Sequence, residues 1–108
     1  MIQLIKIKCD DMLSNAQTEH NLGVMYLLGE GVSQDYKKAL YWFEKASDQG
    51  LAGAQYNLGA MYYSGQGVSQ DYQKALYWFE KASDQGLAEA QCILESLYES
   101  GYGGIKKE

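Results

Sequence analysis

The chain has 108 residues, nine lysines, no arginine and fourteen carboxylates, for a formal net charge of −5 at pH 7. That balance excludes the basic face that nucleic-acid phosphates demand and the polybasic surface that binds anionic membranes. The length suits one domain with a modest core, and no apolar run reaches the roughly 18–20 residues of a transmembrane helix.

A repeat sets the organisation. Residues 31–52, GVSQDYKKALYWFEKASDQGLA, recur 36 positions later as GVSQDYQKALYWFEKASDQGLA, with Lys37 against Gln73 the only difference in 22 positions. The segment Asn21-Leu22-Gly23-Val24-Met25-Tyr26 returns as Asn57-Leu58-Gly59-Ala60-Met61-Tyr62, and more faintly as Ile93-Leu94-Glu95-Ser96-Leu97-Tyr98. A period of this size marks a stacked array, in which no unit buries its apolar face alone. It favours a binding surface over a catalytic pocket.

In chain order, Leu4 and Ile7 fall one period before Leu40 and Phe43, which suits a preceding capping helix. The alternation Ile5-Lys6-Ile7-Lys8 suits a short strand equally well. Lys6 and Lys8 interrupt any signal-peptide core, so a soluble, cytoplasmic protein is expected; a secreted effector whose leader was removed before residue 1 stays open. Each unit then reads as two helices. The first, A, is predicted at about 16–28, 52–64 and 88–100, where Leu58, Met61 and Tyr62 share one helical face. Gly65 follows as a left-handed C-terminal cap. The second, B, is predicted at about 36–49 and 72–85, with Asp35 and Asp71 as N-caps. Its apolar stripe is Ala39, Phe43 and Ala46, repeated at Ala75, Phe79 and Ala82; Gly50 and Gly86 close it. Such helices, roughly 20 Å long, are marginal alone and need stacking. Gly59 costs a helix about 1 kcal/mol against alanine, and close approach of helix B is the expected return. Trp42 and Trp78 are expected between neighbouring units. Glu95 replaces that glycine in the last A helix, and the pattern breaks after Gly103. This helix is therefore expected to cap the array with a polar outer face.

These residues resemble the Sel-1-like repeat family, a relative of tetratricopeptide repeats. Its pattern is met here by Ala52, Leu58, Gly59, Tyr62, Gly65, Gly67, Val68, Asp71, Lys74, Ala75, Trp78, Phe79, Ala82 and Gly86, and the resemblance covers about residues 14–103. It implies an all-α, right-handed superhelix of antiparallel helix pairs that scaffolds protein complexes. The family is common in bacteria and includes secreted members that engage host proteins. A cysteine-rich branch, linked to penicillin-type ligands, carries a disulfide in each repeat. Here Cys9 and Cys92 lie outside the matching blocks and read as free thiols. The expected organisation is a single repeat domain over 1–108 of about two and a half units: 16–51, 52–87 and a capping half-repeat 88–103.

In tetratricopeptide-like stacks the A helices line the concave face. With Leu58 and Tyr62 in the core, that face would present Gly53, Tyr56, Asn57, Ala60 and Tyr63. One period earlier it would present Gln17, His20, Asn21, Val24 and Leu27, and one period later Glu89, Cys92, Ile93, Ser96 and Glu99. The copies diverge here, so packing does not dictate these positions. Tyrosine offers rigid apolar area with one polar handle, and Asn21 and Asn57 suit an extended peptide backbone. No lysine or arginine faces the groove. The expected partner is therefore a neutral to basic peptide or protein surface, held by Tyr56, Asn57 and Tyr63, with His20, Asn21 and Glu99 at the periphery. A merely solvated face is the alternative. A structural module that self-associates through its solenoid ends is the rival function, giving a weak homo-oligomer.

Chemistry finds little support. His20 and Cys92 occupy equivalent positions two repeats apart, on the order of 20 Å at usual helix spacings. A nucleophile and its base need about 3 Å. Glu89, Cys92 and Glu99 are a weak metal set, and no phosphate-binding GxxxxGK[ST] loop is present. No catalytic residue, cofactor or metal is expected.

Overall fold

A computed structural model describes residues 16–100. They form five helices: α1 over 16–28, α2 Tyr36–Asp48, α3 Ala52–Ser64, α4 Tyr72–Asp84 and α5 Ala88–Ser100. No strand occurs among the described residues. The three A helices start and stop where the period places them. The two B helices end one residue earlier than expected, with Gln49 and Gln85 as C-caps. The expected readings of residues 1–13 lie outside the described residues.

The helix limits follow from local chemistry. The Asp35 carboxylate accepts the N–H groups of Lys37 and Lys38 at 3.1 and 3.2 Å, and Asp71 accepts that of Lys74 at 3.1 Å. Each satisfies donors that the first helical turn leaves orphaned. Gly65 caps α3 at φ 74°, and its N–H donates to the Met61 carbonyl at 2.7 Å. The loop that follows is tied back to α3 twice. The Asp71 N–H donates to the Tyr62 carbonyl at 2.8 Å, and Gln70 Nε2 to the Tyr63 carbonyl at 2.8 Å. Unit one repeats both bonds, from Asp35 to Tyr26 at 2.9 Å and from Gln34 to Leu27 at 2.7 Å. These bonds fill C-terminal carbonyls that a helix cannot use internally. They thereby fix the angle at which each B helix returns.

Packing runs along the chain: α3 lies against both α2 and α4, and α4 against α5. Two buried clusters result. Ala39, Phe43 and Ala46 of α2 meet Ala54, Leu58 and Met61 of α3. Ala75 and Phe79 of α4 meet Leu94 and Leu97 of α5. Each cluster joins a B helix to the next A helix, so the units share their cores, as a solenoid requires. Trp78 packs against the first cluster from the second unit, as expected of a residue between units. Trp42 is half-buried, with Tyr41 edge-on to it at 5.1 Å.

The helix-interior glycines have a steric reason. A Cβ on Gly59 would lie 2.7 Å from two Phe79 ring carbons and 3.1 Å from the Ala75 carbonyl oxygen. On Gly23 it would lie 2.6 Å from the Phe43 ring. The B-helix phenylalanine occupies the space a side chain would need. One period later stands Glu95, which is exposed.

The five lysines of the described residues all lie on α2 and α4. Four of them sit over tyrosine rings: Lys38 on Tyr26, Lys45 on Tyr41, Lys74 on Tyr62 and Lys81 on Tyr77, at 5.3–5.5 Å from the centroids. At exposed sites such contacts contribute about 0.5–1 kcal/mol each. The one difference between the near-identical blocks, Lys37 against Gln73, falls at an exposed position.

Candidate functional site

The layer formed by α1, α3 and α5 carries the residues the sequence nominates. Its centre is more occupied than the helical wheel of α3 suggests. Tyr56 is half-buried and tilts against Phe79 at 5.5 Å. Tyr63 tilts against Tyr72 at 5.1 Å. Both pack on the second core cluster. One edge of each ring is thus fixed by the core, which leaves little rotamer entropy to lose on contact.

Asn57 and His20 meet across two units, with Asn57 Nδ2 3.0 Å from His20 Nε2. An amide nitrogen can only donate, so His20 Nε2 accepts and the imidazole proton sits on Nδ1. That Nδ1 is buried without a partner. The ring packs on Phe43 at 5.6 Å, with Gly53 beside it. His20 and Asn57 thus couple α1 to α3, and the Asn57 amide is partly committed within the protein. Asn21 is exposed and accepts a 3.2 Å bond from Gln17. Glu99 is exposed on the last turn of α5.

Burial holds the His20 pKa below the ordinary 6.5, partly offset by the neighbouring polar Asn21 side chain. The neutral ring is therefore the folded form. As pH falls through 6.5 the unfolded chain protonates first, so the stability His20 contributes is complete above 6.5. It is lost as pH descends through the lowered folded value. The urea midpoint should fall between about pH 7.5 and 5.5, before carboxylates titrate strongly. In His20→Phe the same interval should show a smaller fall. An equal fall would mean that the ring is not the group responsible.

An open concavity of ≈ 480 Å³ lies between α3 and α5. Tyr56, Ala88, Glu89, Cys92, Ile93 and Ser96 line it. All six lie on the face nominated from sequence except Ala88, the first residue of α5. Cys92 is a free, exposed thiol. His20 and Cys92 are not brought together: His20 is held by Asn57 and Phe43, while Cys92 lies in the concavity. Among the described residues no three His, Cys, Asp or Glu side chains are grouped to hold a metal ion. No helix of the described residues is long and apolar enough to cross a membrane.

Three hydrogen bonds from two glutamine side chains were not foreseen. Gln49 Nε2 donates to Glu19 Oε1 at 2.7 Å, and one period later Gln85 Nε2 donates to Gln55 Oε1 at 2.9 Å and to the Gly50 carbonyl at 2.7 Å. The bonds to Glu19 and Gln55 link the end of a B helix to the preceding A helix, and the bond to Gly50 reaches the turn between α2 and α3. The recurrence of Gln49 and Gln85 directly before Gly50 and Gly86 was the available signal.

These paired helices, shared cores and repeated caps define an all-α solenoid of helical hairpins. The Sel1 repeat model matches residues 16–51 and 52–87, and the chain belongs to that family. A Sel1 repeat protein from Oxalobacter formigenes is similar in structure, with a TM-score of 0.83 and 41% identity. The match covers 91% of this chain and 40% of that one. The c5321 protein, a protective antigen of uropathogenic Escherichia coli strains with an SLR fold, matches at a TM-score of 0.80 and 40% identity. That match covers 84% of this chain and 20% of the antigen. The chain thus spans less than half the length of either structure. A search of curated proteins gives no match. Sel1 repeats generally act as non-catalytic scaffolds for protein–protein interaction.

Proposed function

We propose that this chain is an interaction module that docks a peptide or protein surface on its α1–α3–α5 face, with no catalysis of its own. The observation that carries this reading is the ≈ 480 Å³ concavity between α3 and α5, within the range of about 300–1,000 Å³ typical of ligand sites. Tyr56 lines it, and Ile93 and Ala88 add apolar area. A ring anchored by the core beside an apolar hollow is the usual makeup of a binding hot spot. Tyr63, Asn57, His20, Asn21 and Glu99 extend the face along the stack. Asn57 and His20 contribute mainly by holding α1 and α3 in register.

The test substitutes Ser96→Arg, which fills the concavity from an exposed helix position. Tyr41→Ala, on the opposite layer and 52% exposed, is the control. Quantitative capture from the source-cell lysate should show partners that Ser96→Arg loses at least tenfold and Tyr41→Ala retains. Retention by both variants would reject the face and direct attention to the solenoid ends, where concentration-dependent mass would then reveal self-association.

A further inference from the structure

Charge is divided between the two helix layers. The described lysines, Lys37, Lys38, Lys45, Lys74 and Lys81, are all on α2 and α4, and none is on α1, α3 or α5. The A layer carries only carboxylates: Glu19, Glu89, Glu95 and Glu99. They are not equivalent. Glu19 is buried and accepts the Gln49 amide. Glu89 lines the concavity, and Glu95 is exposed but does not line it. Glu99 lies ten residues beyond Glu89, about 15 Å along the helix. That exceeds the Debye length of about 8 Å at physiological salt, so Glu89 sets the local field. The positive N-terminus of α5 opposes it, but a helix end amounts to about half a charge. A net negative potential remains over a hollow whose other walls are mostly apolar.

From this complementarity we infer that the concavity is a subsite for a basic side chain, lysine or arginine, presented by a partner segment between apolar residues. The inference rests on the docking reading above and gives that partner its chemistry. The aliphatic stem lies along Tyr56 and Ile93, as long basic side chains do on apolar surface. The cationic head reaches Glu89, and the volume leaves room for an apolar neighbour beside Ala88.

Cys92 reports occupancy of this site directly. A Cys9→Ser background leaves it the sole thiol. The probes are capped heptapeptides Ala-Ala-Leu-X-Leu-Ala-Ala with X as Lys, Arg, Gln or Glu. The readout is the slowing of Cys92 alkylation by iodoacetamide, a neutral reagent. Lysine and arginine peptides should protect at concentrations at least tenfold below the glutamate peptide. Glu89→Gln should shrink that preference about threefold, in the range expected of an exposed ion pair, and Glu95→Gln should leave it unchanged. Equal protection by all four peptides would overturn the basic subsite while leaving the docking face intact. No protection by any peptide would overturn both. Equal effects of Glu89→Gln and Glu95→Gln would reduce the preference to overall charge and overturn the subsite.

Discussion

Phe79→Ala should lower stability by about 3–5 kcal/mol, the usual cost of emptying a buried phenylalanine site. Phe79 is fully buried, and its ring fills the space between Gly59, Tyr56 and the α5 residues Leu94 and Leu97. A chain of this size is stable by roughly 5–15 kcal/mol in total, so the variant should be marginal at 37 °C. The effect reaches the proposed site because the same ring supports Tyr56, which lines the concavity. Phe43→Ala should cost a similar amount, since its ring occupies the matching place beside Gly23. Urea unfolding followed by circular dichroism measures both. A loss below about 1 kcal/mol for Phe79→Ala would contradict a core shared between units.

Gly59→Ala should destabilise the protein although alanine is the better helix former. Helix propensity favours alanine by about 1 kcal/mol. Against this, the new methyl would meet two Phe79 ring carbons at 2.7 Å and the Ala75 carbonyl oxygen at 3.1 Å. The ring can turn, but the carbonyl belongs to α4 and moves only with the helix. Overpacking of this kind costs about 1–3 kcal/mol, so the net loss should reach up to about 2 kcal/mol. The equivalent change on α5, Glu95→Ala, meets no such neighbour and should fall within about 0.5 kcal/mol of wild type. Differential scanning calorimetry of the two variants gives the comparison. A stabilised Gly59→Ala would mean that the helices do not approach as closely as described.

Much of the fold was legible because one unit is written almost twice. Asp35 and Asp71, Gly50 and Gly86, and the Phe43 and Phe79 stripes each check the other, so caps and helix limits followed from spacing. Gly59 could be read as a close-approach site because it repeats Gly23 and stops at Glu95. The face nominated for binding was legible as the side that varies between copies. Its detailed state was not. A helical wheel treats Tyr56 and Tyr63 as solvent-facing, yet a tyrosine ring is long enough to reach Phe79 and Tyr72 on the neighbouring helix. The His20–Asn57 contact joins residues 37 positions apart, one more than the period, so comparing like with like in the two copies does not reveal it. The Gln85–Gln55 bond depends on how far one helix slides along another, a quantity that periodicity does not contain.

The most direct test of the central claim is a residue-resolved map of where a partner segment sits. Amide chemical shifts of the 108-residue protein, titrated with the lysine heptapeptide, provide it. The account predicts saturable shifts concentrated at Tyr56, Glu89, Cys92, Ile93 and Ser96, with α2 and the outer face of α4 unmoved. Shifts confined to α2 and α4, around Tyr41 and Tyr77, would contradict it and place recognition on the lysine–tyrosine layer.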